Sequence, residues 1–155
     1  MNPFLKLFLK FLKNRFESAA TKQSYDEMIA NLQTKGNALT ETIANKPDNA
    51  KNHETLSHII GIERWGQRRL NVLLGQSLLA DEYDGYRPPQ STPWTDLKQM
   101  FATTRAETIL LVRTLQNQGV AKTTTVKHNS LGDLSIGRWL NYFVGHSVRE
   151  SGQIR

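Results

Sequence analysis

The chain contains no cysteine, which excludes a disulfide framework, a cysteine nucleophile and a cysteine metal site. That usage suits a reducing compartment, and a cytoplasmic setting is the expectation. Long apolar runs are missing too: no stretch approaches the roughly 20 residues that cross a bilayer. There is no Gly-rich phosphate loop, no glycine set of the dinucleotide-binding kind, no internal repeat and no low-complexity segment. A broad basic surface is also lacking. The formal charge is +6, but residues 1–24 hold Lys6, Lys10, Lys13, Arg15 and Lys22 against Glu17 alone, so the rest of the chain carries only +2. Nucleic acid is therefore not an expected partner. What is present is 155 residues, 38% of them hydrophobic, enough for one domain with a substantial core.

Two parts are distinguishable. Residues 1–24 are an amphipathic basic segment and a linker. In FLKLFLKFLKNRF, residues 4–16, Phe and Leu cover one side of a helical wheel while Lys6, Lys10, Lys13 and Asn14 cover the other. The pattern predicts an additional N-terminal helix. It packs on the body of the protein, packs across a homodimer, or lies on a membrane surface; a disordered tail is the remaining alternative. The small polar run from Glu17 to Ser24 reads as the linker.

Residues 25–155 show four amphipathic stretches. Tyr25, Met28, Leu32, Gly36, Leu39 and Ile43 are spaced by three or four, one helical stripe with Ser24 as its N-cap. Residues 45–54 read as a loop. Ser57 to Gly75, SHIIGIERWGQRRLNVLLG, follows as a second helix whose apolar arc includes Ile59, Ile62, Leu70, Leu73 and Leu74. His58, Glu63 and Arg69 lie in or beside that arc, and each needs a partner, because an unpaired buried polar group costs a few kcal/mol. Gly75 suits the position just past a helix end. Residues 80–93 form an irregular connection. Thr92 and Pro93 read as N-cap and first helical residue of a third stripe, Trp94, Leu97, Phe101, Thr104, Thr108, Leu111 and Leu115. A long loop over residues 120–133 follows, with a strand-like TTTV that could pair as a hairpin. His128 reads there as a surface histidine, with an extra acid or base as the alternative. The last helix begins near Ser135. Its stripe is Ile136, Trp139, Phe143, His146, Glu150 and Gln153. Four such stretches predict an all-α antiparallel four-helix bundle.

His146 and Glu150 stand four apart, neighbours on one helix face. An imidazole and a carboxylate so placed can hold one divalent cation, with His58 from a facing helix as third ligand and coordination positions left open. A hydrogen-bonded buried pair is the ordinary alternative. Trp65 and Trp139 wall a pocket or simply fill the core. His53-Glu54-Thr55-Leu56-Ser57-His58 imitates the zinc-protease motif H-E-x-x-H but has one residue too many. The two histidines then lie about 140° apart on a helix and cannot share an ion.

Three segments in order, SHIIGIERWGQRRLNVLLG, DEYDGYRP and VKHNSLGDLSIGRWLNYFVGHSVRESGQIR, resemble the DinB-like (YfiT-like) superfamily over about residues 25–155. The resemblance implies a four-helix bundle with a metal between helices, held by one histidine of the second helix and an H-x-x-x-H pair of the last. His58 matches the first and His146 opens the pair. Its second member falls on Glu150, a departure that favours harder metals than an all-imidazole site. The family further implies a nickel, zinc, manganese or iron ion, a homodimer, and in several members a low-molecular-weight thiol as co-substrate. The expected function is a metal-dependent transferase or hydrolase, with thiol-dependent S-transfer as one form. The alternative is a bundle that has lost its metal and serves as a dimeric ligand-binding or interaction module.

Overall fold

The structure, a computed structural model, describes Ala20 and residues 22–155. The expected helix over residues 4–16 lies outside the described residues. Within them the chain is mostly helical: α1 (Tyr25–Ala44), α2 (Ala50–Leu70), α3 (Trp94–Asn117) and α4 (Ile136–Ser151). An antiparallel ribbon, β1 (Thr125–His128) with β2 (Gly132–Ser135), precedes α4 and pairs Thr125 with Ser135 and His128 with Gly132. No helix among the described residues is long and apolar enough to cross a membrane.

Local chemistry sets most boundaries. Ser24 opens α1 with a reciprocal capping box: its hydroxyl accepts from the Glu27 N–H at 3.1 Å and Glu27 Oε2 accepts from the Ser24 N–H at 2.7 Å. α2 begins earlier than its apolar pattern suggests. Asn49 caps it, accepting from the Asn52 N–H at 2.9 Å, so Ala50 to Glu54 are helix rather than loop. α2 also ends earlier, at Leu70, and one 3₁₀ turn over Asn71–Leu74 carries the chain to Gly75. Gly75 has φ of 95°, the left-handed conformation that favours glycine. Pro93, not Thr92, is the N-cap of α3 and provides no side-chain cap. The expected hairpin is present, but His128 within it is buried, not a surface residue.

α1 packs on α3 and α4, and α2 packs on α3 and α4; the consecutive helices α1 and α2 are not a closely packed pair. The stripes read from the sequence map onto the buried faces of α1 and α3, while that of α4 is buried only from Ile136 to His146, with Glu150 partly exposed and Gln153 exposed beyond the helix end. Met28, Leu32, Gly36, Leu39 and Ile43 of α1 are buried, as is the whole α3 stripe. Gly66 allows a close approach of α2 to α4, since a Cβ there would sit 2.1 Å from the Phe143 ring. The apolar interior falls into two clusters. One gathers Met28, Leu32, Trp65, Leu70, Val112, Trp139 and Phe143; the other gathers Leu39, Ile43, Leu56, Ile60, Phe101 and Ile154. Trp65 and Trp139 are therefore core residues.

Between the clusters lies a polar layer. Arg105 of α3 donates from Nε to Glu63 Oε1 at 2.8 Å and from Nη2 to Oε2 at 3.0 Å. Its Nη1 reaches the Leu32 carbonyl at 3.0 Å and its Nη2 the Ser147 hydroxyl at 3.2 Å. Thr108 donates to Glu63 Oε1 at 2.7 Å. Gly36 leaves room for the Arg105 stem, whose Cγ would lie 2.8 Å from an added Cβ. One guanidinium on α3 thus bonds to each of the other three helices.

Removing either charge leaves the other buried and unpaired, which costs about 3–5 kcal/mol. We expect Glu63→Ala and Arg105→Ala each to lower stability by that order. A paired Glu63→Leu, Arg105→Met replacement should cost less than the sum of the two single changes. Urea unfolding of the three variants checks this; strict additivity would mean that the pair is not coupled.

Candidate functional site

α2 and α4 meet along a seam that presents His58 and His146. The Gly66–Phe143 contact sets the helix spacing, and the two imidazoles face each other about two turns from it along α2 and about one turn along α4. Nε2 of His146 lies 3.1 Å from Nε2 of His58, and the ring centroids are 5.0 Å apart. His146 is buried; His58 is half-buried. At that separation at most one of the two nitrogens carries the shared proton, because two N–H groups cannot point at each other. Burial lowers the pKa of both. For His58 the Arg87 charge lowers it further, against Glu150, Asp84 and Glu54. For His146, burial and then His58 bring it down to about 4. Both rings are neutral at neutral pH.

Glu150 sits one turn beyond His146 and is partly exposed. Its carboxylate is engaged elsewhere: Oε1 accepts from Arg149 Nε at 3.1 Å and Oε2 from Gln153 Nε2 at 2.7 Å. Burial pushes its pKa up, but the Arg149 hydrogen bond and the charges of His146, Arg149 and His58 outweigh this and hold it below the usual carboxylate value. The structure therefore brings His58 and His146 together, with Glu150 within electrostatic range of both. Among the described residues no set of three His, Cys, Asp or Glu side chains is placed to hold one ion.

The other polar residues of the α2 arc are accounted for. Glu63 belongs to the interior layer. Arg69 pairs with Asp81 at 2.9 Å and donates to the Leu79 carbonyl at 2.6 Å and to Asn129 Oδ1 at 3.1 Å. Asp81 also accepts from Trp65 Nε1 at 3.3 Å and from the Tyr86 hydroxyl. This cluster ties the connection between α2 and α3 to the helix it left. The connection contains a 3₁₀ turn, Tyr83–Tyr86, which lies on α2 at Gly61. A Cβ at Gly61 would sit 2.5 Å from Arg87 Cγ and 3.1 Å from the Tyr83 carbonyl oxygen. The turn places the Tyr83 ring edge-on to His58, with centroids 5.1 Å apart. Tyr142, one turn before His146, lies 5.7 Å from it. Sequence reasoning missed both tyrosines; the spacing of Tyr142 and His146 on one helix face was the available signal.

A cavity of about 930 Å³ is walled in part by Glu54, Ser57, Asp84, Arg87 and Gln90, and neither His58 nor His146 is among its lining residues. His128 is not at the site. Its Nδ1 accepts from the N–H groups of Ser130 and Leu131 at 3.1 and 3.2 Å, tightening the hairpin turn. Its ring packs edge-on against Trp65 and Tyr142 and tilted against Trp139.

No family model, no curated protein and no solved structure matches this chain.

The histidine shifts make a pH prediction for the metal-free protein. A pKa lowered on folding means that the unfolded chain binds the proton more readily, so stability rises with pH between the two values. The contribution of His146 is complete above about pH 6.5 and is lost as pH falls toward about 4. The loss should be on the order of 3 kcal/mol. Thermal melts of wild type and His146→Phe across this window check it: the variant should lose less stability on acidification.

Proposed function

We propose that the chain is a DinB-like four-helix bundle and a metal-dependent transferase or hydrolase centred on His58 and His146. The observation that supports this is the 3.1 Å separation of the two Nε2 atoms, on neutral rings at a helix seam. Two imidazoles on one ion at about 2.0–2.1 Å each hold their nitrogens roughly 2.9–3.4 Å apart, for angles between square and tetrahedral. The donor chemistry fits as well, since a metal ligand must be the neutral imidazole. Glu150 is the third donor in this reading, and to serve it must leave Arg149 and Gln153. A bound nickel, zinc, manganese or iron ion would supply Lewis acidity and lower the pKa of a water or a low-molecular-weight thiol. His58 and His146 would hold the ion, Glu150 would offset its charge, and Arg149 would hold the carboxylate until it is needed. Assembly as a homodimer, a cytoplasmic setting and peripheral membrane contact through residues 4–16 belong to the same proposal.

A second reading, a bundle without a metal that works as a binding module, is favoured by two specific observations. No three-donor set is placed for an ion. In addition, neither Nδ1 of the pair has a hydrogen bond within the described residues, whereas metal-binding imidazoles are ordinarily oriented by such a bond.

Elemental analysis and nickel or zinc titration separate the two. The enzyme reading expects one ion per chain, with affinity reduced at least about tenfold in His58→Ala and His146→Ala; for scale, loss of an outer-shell partner alone costs 10–100-fold. Glu150→His should bind nickel or zinc more tightly than wild type. A wild-type protein that takes up no metal, with Glu150→His equally inert, would select the binding module.

A further inference from the structure

The chain has four tyrosines, and they divide into two kinds. Tyr25 donates its hydroxyl to the Val120 carbonyl at 2.8 Å and Tyr86 donates to Asp81. The hydroxyls of Tyr83 and Tyr142 have no hydrogen-bond partner among the described residues. Both residues are half-buried, and neither hydroxyl is sealed from solvent. These two are the tyrosines that flank the histidine pair, one against each ring, and they lie within electrostatic range of each other.

We propose that Tyr83 and Tyr142 are paired hydroxyl donors that bind the carbonyl oxygen of a neutral substrate, an amide, ester or thioester, at the histidine pair. This rests on His58 and His146 being the reactive centre. A carbonyl oxygen has two lone pairs and accepts two donors, and such bonds strengthen as negative charge develops on that oxygen. A phenol hydroxyl carries one donor hydrogen, so each tyrosine can give one bond to such an oxygen. The nearby charges are largely matched already, Arg87 with Asp84 and Arg149 with Glu150. That balance favours a polar neutral group over a free anion. The elements that hold the phenols are rigid: Gly61 and Asp81 fix the turn bearing Tyr83, and helix α4 fixes Tyr142.

The test uses the metal-free full chain with ring-labelled tyrosine, titrated with N-methylacetamide and separately with acetate. N-methylacetamide should shift the ring signals of Tyr83 and Tyr142 and leave those of Tyr25 and Tyr86 in place. Tyr83→Phe and Tyr142→Phe keep the ring packing and should each weaken binding about tenfold, the usual worth of one hydrogen bond. Both variants should retain the melting temperature and metal affinity of the wild type. Uniform shifts, no shifts, or full affinity in both variants would overturn the proposal. Tighter binding of acetate would overturn its assignment to a neutral carbonyl. Because no metal is present, failure of the ion reading shows only in the metal titration and leaves this result independent.

Discussion

The Glu63–Arg105 ion pair is the constraint on which the other contacts depend. It lies between two apolar clusters that would otherwise merge into one, and it fixes the register of the helices around it. Desolvating two charges is expensive, and their attraction offsets the cost only where the remaining donors and acceptors are satisfied. Here Leu32, Ser147 and Thr108 supply those partners. A slip of one helix by a turn would keep much of the apolar burial but would strand a guanidinium or a carboxylate. The pair thus penalises the alternatives more than it stabilises the native packing, the use of buried polar groups best attested in helical assemblies.

The histidine pair inherits its geometry from this layer. Ser147, bonded to Arg105, is the residue after His146, and Glu63 follows His58 by little more than one turn of α2. Holding Ser147 and Glu63 holds both imidazoles. At the other end of the seam Gly66 lets Phe143 approach the α2 backbone, and this sets the helix spacing across which two Nε2 atoms meet at 3.1 Å. Arg69 and Asp81 perform a similar task for the connecting segment. A loop of that length loses substantial entropy on ordering, and several converging hydrogen bonds at one aspartate keep the 3₁₀ turn against α2.

Helical periodicity made most of the fold legible. All seven residues of the Trp94–Leu115 stripe are buried, and the α1 stripe is buried apart from the half-buried Tyr25 at its start, because a period of 3.6 maps directly onto one face. The need for partners at His58, Glu63 and Arg69 was legible for the same reason. The identity of the partners was not, since Arg105, Asp81 and His146 lie 42, 12 and 88 positions away and no local pattern encodes such distances. The start of α2 was obscured because its first turn, AKNHE, is polar; it is specified by the Asn49 cap rather than by apolar spacing. His128 was misjudged because a hairpin between helices places its inward residues in the core, and a polar loop composition conceals that alternation.

The site differs in charge from the pairing that the last helix suggests by itself. A histidine hydrogen-bonded to a carboxylate four residues away gains a proton more easily, and its pKa rises. In this fold the hydrogen-bonding partner of His146 is another imidazole, and burial leaves both rings neutral. Glu150 influences them only through space, since Arg149 and Gln153 occupy its oxygens. Two neutral imidazoles are poor at stabilising an anion by charge but well suited to donate lone pairs. Their shared proton is also easily displaced by a cation, because no carboxylate anchors it. The arrangement therefore favours electron-pair donation over storage of positive charge.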